Sequence, residues 1–317
     1  MTLPTHLEHD GRRVLLKYHR LFSGDHAFPP NSLSALRALV EGGAGVIEFD
    51  VGVTGDGGFV LIHDAELERE TTGRGALRSI TTDQFLGLRL RGGNEATASL
   101  ADAVEALRAL RRPLKVQVDF KEALPVTEEV AAGLLRALAP LRANPQLHVV
   151  VGCLADWNLR TLRRVDPTLP VGLDFYIYLD APGEEILRLP QRVNAYGYLD
   201  DHPLGYRRIL PVAAYLKDRL ETLVTLVAGA EELYVSKAFL TQALRDGLNP
   251  IAIIRRLRPE VLVDVWTINA DDPDFPSSLA AALEAGAEQI TTDTPVQLAY
   301  YATQRLAAAA EHRLVQP

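Results

Sequence analysis

Short apolar, β-branched runs alternate with stretches of helical periodicity along almost the whole chain, the pattern of repeated βα units around a parallel sheet. Eight strands are predicted: Val14 to His19, Gly45 to Val53, Leu114 to Lys121, His148 to Cys153, Val171 to Tyr176, Glu232 to Ser236, Val261 to Ile268 and Gln289 to Asp293. Between them lie helical segments such as Ser32 to Glu41, Leu100 to Arg111, Glu128 to Leu141, Trp157 to Val165, Pro250 to Leu257 and Ser277 to Glu284. Eight such units without an obvious linker favour an α/β fold of the TIM (β/α)8 kind, which takes roughly 250 residues plus insertions, over an open doubly wound sheet. The expectation is a single domain over 1–317, with the barrel over 14–305 and a helical insertion over 180–229. That insertion carries Tyr196, Tyr198 and His202 and is too long for one connection; it reads equally as packing on the rim or as a substrate-selecting lid.

Strand parity carries further information, because successive side chains point to opposite faces. From Leu114 to Lys121 one face is Leu114, Val116, Val118 and Phe120, and the other is Lys115, Gln117, Asp119 and Lys121. The apolar set must face the helices, which sends three ionisable groups and an amide into the barrel, where burial without partners is costly. Likewise Ile47, Phe49 and Val51 share one face, and Glu48 and Asp50 the other. Two carboxylates this close repel unless a cation sits between them. Hard oxygen ligands suit Mg2+ or Ca2+, and Asp119 on the next strand is the natural third ligand. Structural ion pairs of Glu48 and Asp50 with Lys17, Lys115 or Lys121 are the competing explanation.

The segment after the second strand includes Asp56-Gly57 between β-rich arms, a strong hairpin signal. With that pair as a two-residue turn, Gly55 faces Gly58 and His63 faces Asp50, with opposed Cβ atoms about 4.5 to 5.5 Å apart. His19 ends the first strand on the same face as Lys17. Two imidazoles converging on a carboxylate cluster suit one general base and one general acid near neutral pH.

Composition narrows the function. The 317 residues are 47% hydrophobic and 23% charged, enough apolar material for one large core. The net charge of -8 argues against nucleic-acid binding by counterion release, so a small anionic substrate needs a local metal or basic cluster. Cys153 is the one cysteine and lies in an apolar run, so no internal disulfide is expected and a reducing compartment is. Met1 to Arg13 is polar, and no window approaches the roughly 18 apolar residues of a spanning helix. A cytoplasmic protein without an integral membrane segment is expected, and Ala307 to Ala310 reads as part of an ordinary amphipathic helix. The sequence leaves the oligomeric state open.

His19-Arg20, Pro30-Asn31-Ser32, Gly45 to Val51, Thr54 with Asp56-Gly57, His63-Asp64 and Arg69 to Gly73 form an ordered series of motifs. Val265 to Asn269, Gly286-Ala287 and Thr291 to Pro295 continue it. The series resembles the glycerophosphodiester phosphodiesterase family over His19 to Leu298, weakly across 180–229. The resemblance implies a TIM barrel, a divalent metal and hydrolysis of a small-molecule glycerophosphodiester to glycerol phosphate and an alcohol. It implies Glu48 and Asp50 as metal ligands, His19 and His63 as the acid-base pair, Arg20 and Lys121 as phosphate contacts, and Trp266 as a wall of the substrate site. Water and the neighbouring glycerol hydroxyl both remain open as nucleophile.

Three departures bear on the lining. Leu21 stands where the family keeps glycine, so this loop is expected to take another path or narrow the mouth. Pro30 replaces a glutamate, and Asp119 is one methylene shorter than the family's glutamate, which suggests ligation through water or a different ion. These changes point to an altered or bulky diester or to weak activity. Two other readings stay open: a barrel that only binds a phosphodiester or a protein, and a sphingomyelinase D-like lyase forming a cyclic phosphate.

Overall fold

The computed structural model describes residues 2–24, 27–179 and 211–304. Its strands are β1 (His6–His9), β2 (Arg12–Tyr18), β3 (Val46–Val53), β4 (Phe59–Leu61), β5 (Leu114–Phe120), β6 (Leu147–Cys153), β7 (Val171–Asp174), β8 (Glu232–Ser236), β9 (Leu262–Trp266) and β10 (Gln289–Thr292). Eight of them pair in parallel in the order β2-β3-β5-β6-β7-β8-β9-β10, and β10 pairs again with β2. The sheet therefore closes into a barrel, as the alternating pattern predicts. Helices such as Leu33–Gly42, Glu128–Arg142 and Pro250–Leu257 connect the strands. Their apolar faces bury against the outer strand residues, among them Ile47, Phe49, Val116, Val118 and Phe120, each at most 1% exposed.

Two antiparallel strands flank the barrel. The sequence pattern missed β1, which returns to β2 through Asp10-Gly11; both residues have positive φ, 48° and 73°, as a two-residue hairpin turn requires. At β3 and β4 the expected two-residue turn is not formed. Thr54 N–H donates to Gly58 O and Gly57 N–H donates to Thr54 O, each at 3.0 Å, so Gly55-Asp56-Gly57 is a three-residue loop. Gly57, at φ 86°, supplies the left-handed residue that such a loop needs. The register is then Val51 with Leu61, one step away from the predicted pairing, and β4 ends before His63.

From β4 onward, Val60, Ile62, Leu67, Leu77 and Phe85 form a small apolar cluster of their own. It anchors the excursion that leads back to the next barrel helix, Leu100–Leu107. Residues 180–210 lie outside the described residues, and with them Tyr196, Tyr198, His202 and the first part of the expected insertion; its later part holds a helix, Val212–Leu223. Residues 307–310 also lie outside. Among the described residues no helix is long and apolar enough to cross a membrane.

The barrel interior is strongly polar. Lys17 of β2 pairs with Asp264 of β9 at 2.9 Å, Lys115 pairs with Glu232, and Thr291 Oγ1 donates to Asp264 Oδ1 at 2.7 Å. Tyr234 fits between these groups because two facing positions lack side chains. A Cβ at Gly172 would lie 2.1 Å from the Tyr234 hydroxyl, and one at Gly152 would lie 2.6 Å from Gln117 Nε2.

Candidate active site

At the C-terminal end of β3 both inward residues are acidic, and the β3–β5 register sets Asp50 beside Asp119. Carboxylate oxygens of Glu48, Asp50 and Asp119 lie within 4.8 Å of one another. Glu48 and Asp50 are 2% and 1% exposed. Of the three lysines considered as ion-pair partners, Lys17 and Lys115 are taken by Asp264 and Glu232, and Lys121 serves this cluster. Its Nζ is 3.0 Å from Asp119 Oδ2 and 3.6 Å from Asp50 Oδ1.

The charges do not balance, and the carboxyl groups respond unequally. Burial, with Asp50 and Asp119 beside it, pushes the Glu48 carboxyl well above the usual range. Burial opposes ionisation of Asp50 too, but Lys121, His63, Arg20 and His19 together hold it well below the usual range. Glu48 Oε2 accepts the Arg20 backbone N–H at 2.7 Å. Glu48 Oε1 is buried with no hydrogen-bond partner among the described residues, an expensive arrangement unless something else contacts it.

Both histidines reach this cluster, and each has a carboxylate behind Nδ1. His19 Nδ1 lies 2.8 Å from Asp293 Oδ1, while Asp293 Oδ2 accepts from Asn269 Nδ2 at 2.8 Å. Against the effect of burial, the His19 and Asn269 contacts and the Arg20 charge keep Asp293 below its usual range. His63 Nδ1 lies 2.6 Å from Asp64 Oδ1, and Arg69 grips the same carboxylate. Burial is again overcome, and Asp64 falls to about 2. Glu70 accepts the backbone N–H groups of His63 and Asp64 at 3.1 and 2.7 Å, which fixes the turn that presents the imidazole. His63 therefore arrives from the loop after β4 rather than from the ladder, and its charge still acts on Asp50.

The first loop is tightly bent. Arg20 and Leu21 both have left-handed backbones, with φ 47° and 65°, an arrangement costing about 1–2 kcal/mol for each non-glycine residue. Leu21 is 1% exposed and packs in the main hydrophobic core, so of the two outcomes expected for this loop, another path or a narrowed mouth, the narrowed mouth is not the one found. The bend directs the Arg20 N–H at Glu48 and sets its Nε 3.6 Å from Asp50. Asn31 closes the loop: its Nδ2 donates to Asp50 Oδ2 at 2.8 Å, and its Oδ1 accepts the Asp50 N–H at 3.1 Å. Trp266 ends β9 and packs on Tyr176 with ring centroids 5.6 Å apart; its Nε1 is buried without a partner among the described residues.

Asn31, Asp64, Glu70, Asn269 and Asp293 were not assigned roles from the sequence. All five lie in the motifs that carried the resemblance. For Asn269 and Asp293 the usable signal was a polar residue shortly beyond a barrel strand's C-terminal end, where this fold keeps its chemistry.

A parallel barrel gathering three carboxylates, two carboxylate-backed imidazoles and two cations at one mouth has the layout of a TIM-barrel hydrolase. The chain belongs to the glycerophosphoryl diester phosphodiesterase family, whose sequence model matches residues 19–297, and it is accordingly a phosphoric diester hydrolase. A glycerophosphodiester phosphodiesterase of Caldanaerobacter subterraneus is 26% identical over 189 residues, covering 58% of this chain and 73% of that protein. Human glycerophosphodiester phosphodiesterase 1 is 41% identical over 117 residues, 34% of each chain. An Oleispira antarctica phosphodiesterase, solved in complex with the product sn-glycerol-3-phosphate, shares the fold at TM-score 0.60 and 19% identity, over 95% of this chain and 97% of that one.

Proposed function

We propose that the protein hydrolyses a glycerophosphodiester to glycerol phosphate and an alcohol with the help of a divalent cation held by Glu48, Asp50 and Asp119. The observation that carries this reading is the convergence of carboxylate oxygens of Glu48, Asp50 and Asp119 within 4.8 Å of one another, in a buried cluster where Glu48 Oε1 lacks a hydrogen-bond partner among the described residues. An all-oxygen donor set of this kind fits Mg2+ or Ca2+. A bound cation supplies positive charge that offsets the negative charge gathering on the phosphoryl oxygens.

The chain's own residues do the rest. Arg20 and Lys121, both beside Asp50, bind and orient the phosphoryl group. Of His19 and His63, one takes the proton from the attacking hydroxyl and the other gives a proton to the leaving alkoxide. Asp293 and Asp64 hold the two Nδ1 atoms, which leaves each Nε2 as the atom that exchanges the proton. Trp266, braced by Tyr176, walls the side of the site where the organic groups lie.

Cleavage of simple glycerophosphodiesters is assayed with Mg2+, Ca2+ and Mn2+, alongside Glu48→Gln and His63→Ala. Metal-dependent turnover that both substitutions abolish is expected; turnover that survives both sinks the assigned site. Phosphorus NMR of the product separates hydrolysis from the lyase reading, since an accumulating cyclic phosphate marks release without hydrolysis.

A further inference from the structure

Asn269 follows β9 and reaches across to the end of β10. Its backbone is tied down first: the Asn269 N–H donates to Asp272 Oδ2 at 3.0 Å, and Lys237 Nζ holds the same oxygen at 2.7 Å. Its side-chain Oδ1 accepts the Asp293 N–H at 2.8 Å and the Thr292 hydroxyl at 3.2 Å. A backbone N–H can only donate, so this end of the amide has to be the oxygen. The other end is the NH2, and it donates to Asp293 Oδ2 at 2.8 Å, while Asp293 Oδ1 lies 2.8 Å from His19 Nδ1. Asp293 is thus gripped at its N–H and at its carboxylate by one side chain, which aims Oδ1 at the imidazole. A donor at Oδ2 also favours the ionised carboxylate, which can only accept.

We infer that Asn269 is a positioning residue for His19: its amide holds the Asp293 carboxylate as an acceptor facing the imidazole, which keeps the His19 proton on Nδ1 and leaves Nε2 to exchange a proton in the reaction. The inference rests on reading His19 as one of the two acid-base imidazoles. It singles out one hydrogen bond of Asn269, from Nδ2 to Asp293, because the bonds of its N–H and Oδ1 would serve an ordinary loop anchor equally well.

The fixed direction of the amide makes this testable with nearly isosteric changes. In Asp293→Asn the Asn269 NH2 still requires an acceptor, so it takes the oxygen of the new amide and turns the new NH2 toward His19. The imidazole then has to accept at Nδ1, and its proton moves to Nε2. Adding Asn269→Asp replaces the donor by an acceptor, which takes the NH2 at position 293, returns the amide oxygen to His19 and brings the proton back to Nδ1. Nitrogen NMR of isotope-labelled full-length protein at alkaline pH, where imidazoles are neutral, reads the tautomer, with the His19 signals identified by their absence from His19→Ala. With a glycerophosphodiester and a divalent cation, kcat is expected to fall about 10- to 100-fold in Asp293→Asn with little change in KM, and to recover about 5- to 10-fold in the double variant. A proton that stays on Nδ1 in Asp293→Asn overturns the inference. So does a double variant that keeps the proton on Nε2 or turns over no faster than Asp293→Asn, as a mere loop anchor predicts, since a second change there adds to the first. Should the double variant not fold, the tautomer in Asp293→Asn decides alone. The NMR readout needs no turnover, so full activity in His19→Ala overturns the acid-base role of His19 while the tautomer still tests Asn269.

Discussion

Deep in the barrel, Lys17 meets Asp264 and Lys115 meets Glu232, one cation to each carboxylate. Nearer the mouth, Glu48, Asp50 and Asp119 crowd together around one lysine, Lys121; a carboxylate oxygen lacks a hydrogen-bond partner among the described residues in each layer, Glu48 Oε1 and Glu232 Oε2, so the layers differ in how charge is matched. Both layers are buried and both are built from strand residues of inward parity. The deeper one is balanced, as buried charges must be to persist in a fold. The outer one carries excess negative charge and has its carboxyl groups driven apart, with Glu48 raised and Asp50 lowered. Under the proposed function such a layer persists because it receives a cation, and the contrast then separates scaffold from site.

The strongest way to break this contrast is Glu48→Gln. Turnover is expected to fall about a thousand-fold or more, the scale of losing a charge-stabilising group, while the fold persists by circular dichroism. A comparable loss of folding would make Glu48 scaffold. In the deeper layer the expectation reverses. Lys115→Met should cost ~3–5 kcal/mol of stability in urea unfolding, because it leaves Glu232 buried and unpaired. Adding Glu232→Gln should recover most of that. If the single substitution is neutral, the balanced layer is not what holds the barrel.

The carboxylates behind the imidazoles sharpen the picture further. Asp293→Asn and Asp64→Asn should each lower kcat about 10- to 100-fold, as neutralising the group that orients a functional imidazole does, with little change in KM. An effect on KM alone would assign them to substrate binding. The smallest effect concerns Leu21. At φ 65° glycine is easier than alanine by about 1–2 kcal/mol, so Leu21→Gly should be more stable than Leu21→Ala. The usual order, alanine above glycine, would mean that the left-handed bend is not present in solution.

Much of this was legible in the sequence, for reasons that also mark where legibility ends. Strand parity alone sent Glu48, Asp50 and Asp119 to one side, because the two-residue period is fixed by the pleat. The barrel followed from repeated units. The hairpin after β3 did not follow, because Asp56-Gly57 fits both a two-residue turn and the end of a three-residue loop, and only the Thr54 to Gly58 hydrogen bond distinguishes them. Asp10-Gly11, passed over, is the true two-residue turn. Which of the two expected outcomes Leu21 takes was not legible, because side-chain direction after a left-handed residue depends on the backbone path. Asn31 and Asp293 act through hydrogen bonds between segments far apart in sequence, which no local pattern contains.

The central claim is that the outer layer is strained until a cation arrives, and melting metal-free protein with and without Mg2+ or Ca2+ between pH 5 and 8 tests it most directly. Glu48 has a folded-state pKa above its ordinary 4.5. Its contribution to stability is therefore present at low pH and is lost as pH rises from the ordinary value through the raised one. The account predicts that the rise in Tm on adding the ion grows toward pH 8. It predicts that Glu48→Gln abolishes this rise while melting at least as high as wild type without metal. A Tm gain that is absent, that shrinks with rising pH, or that survives Glu48→Gln contradicts it.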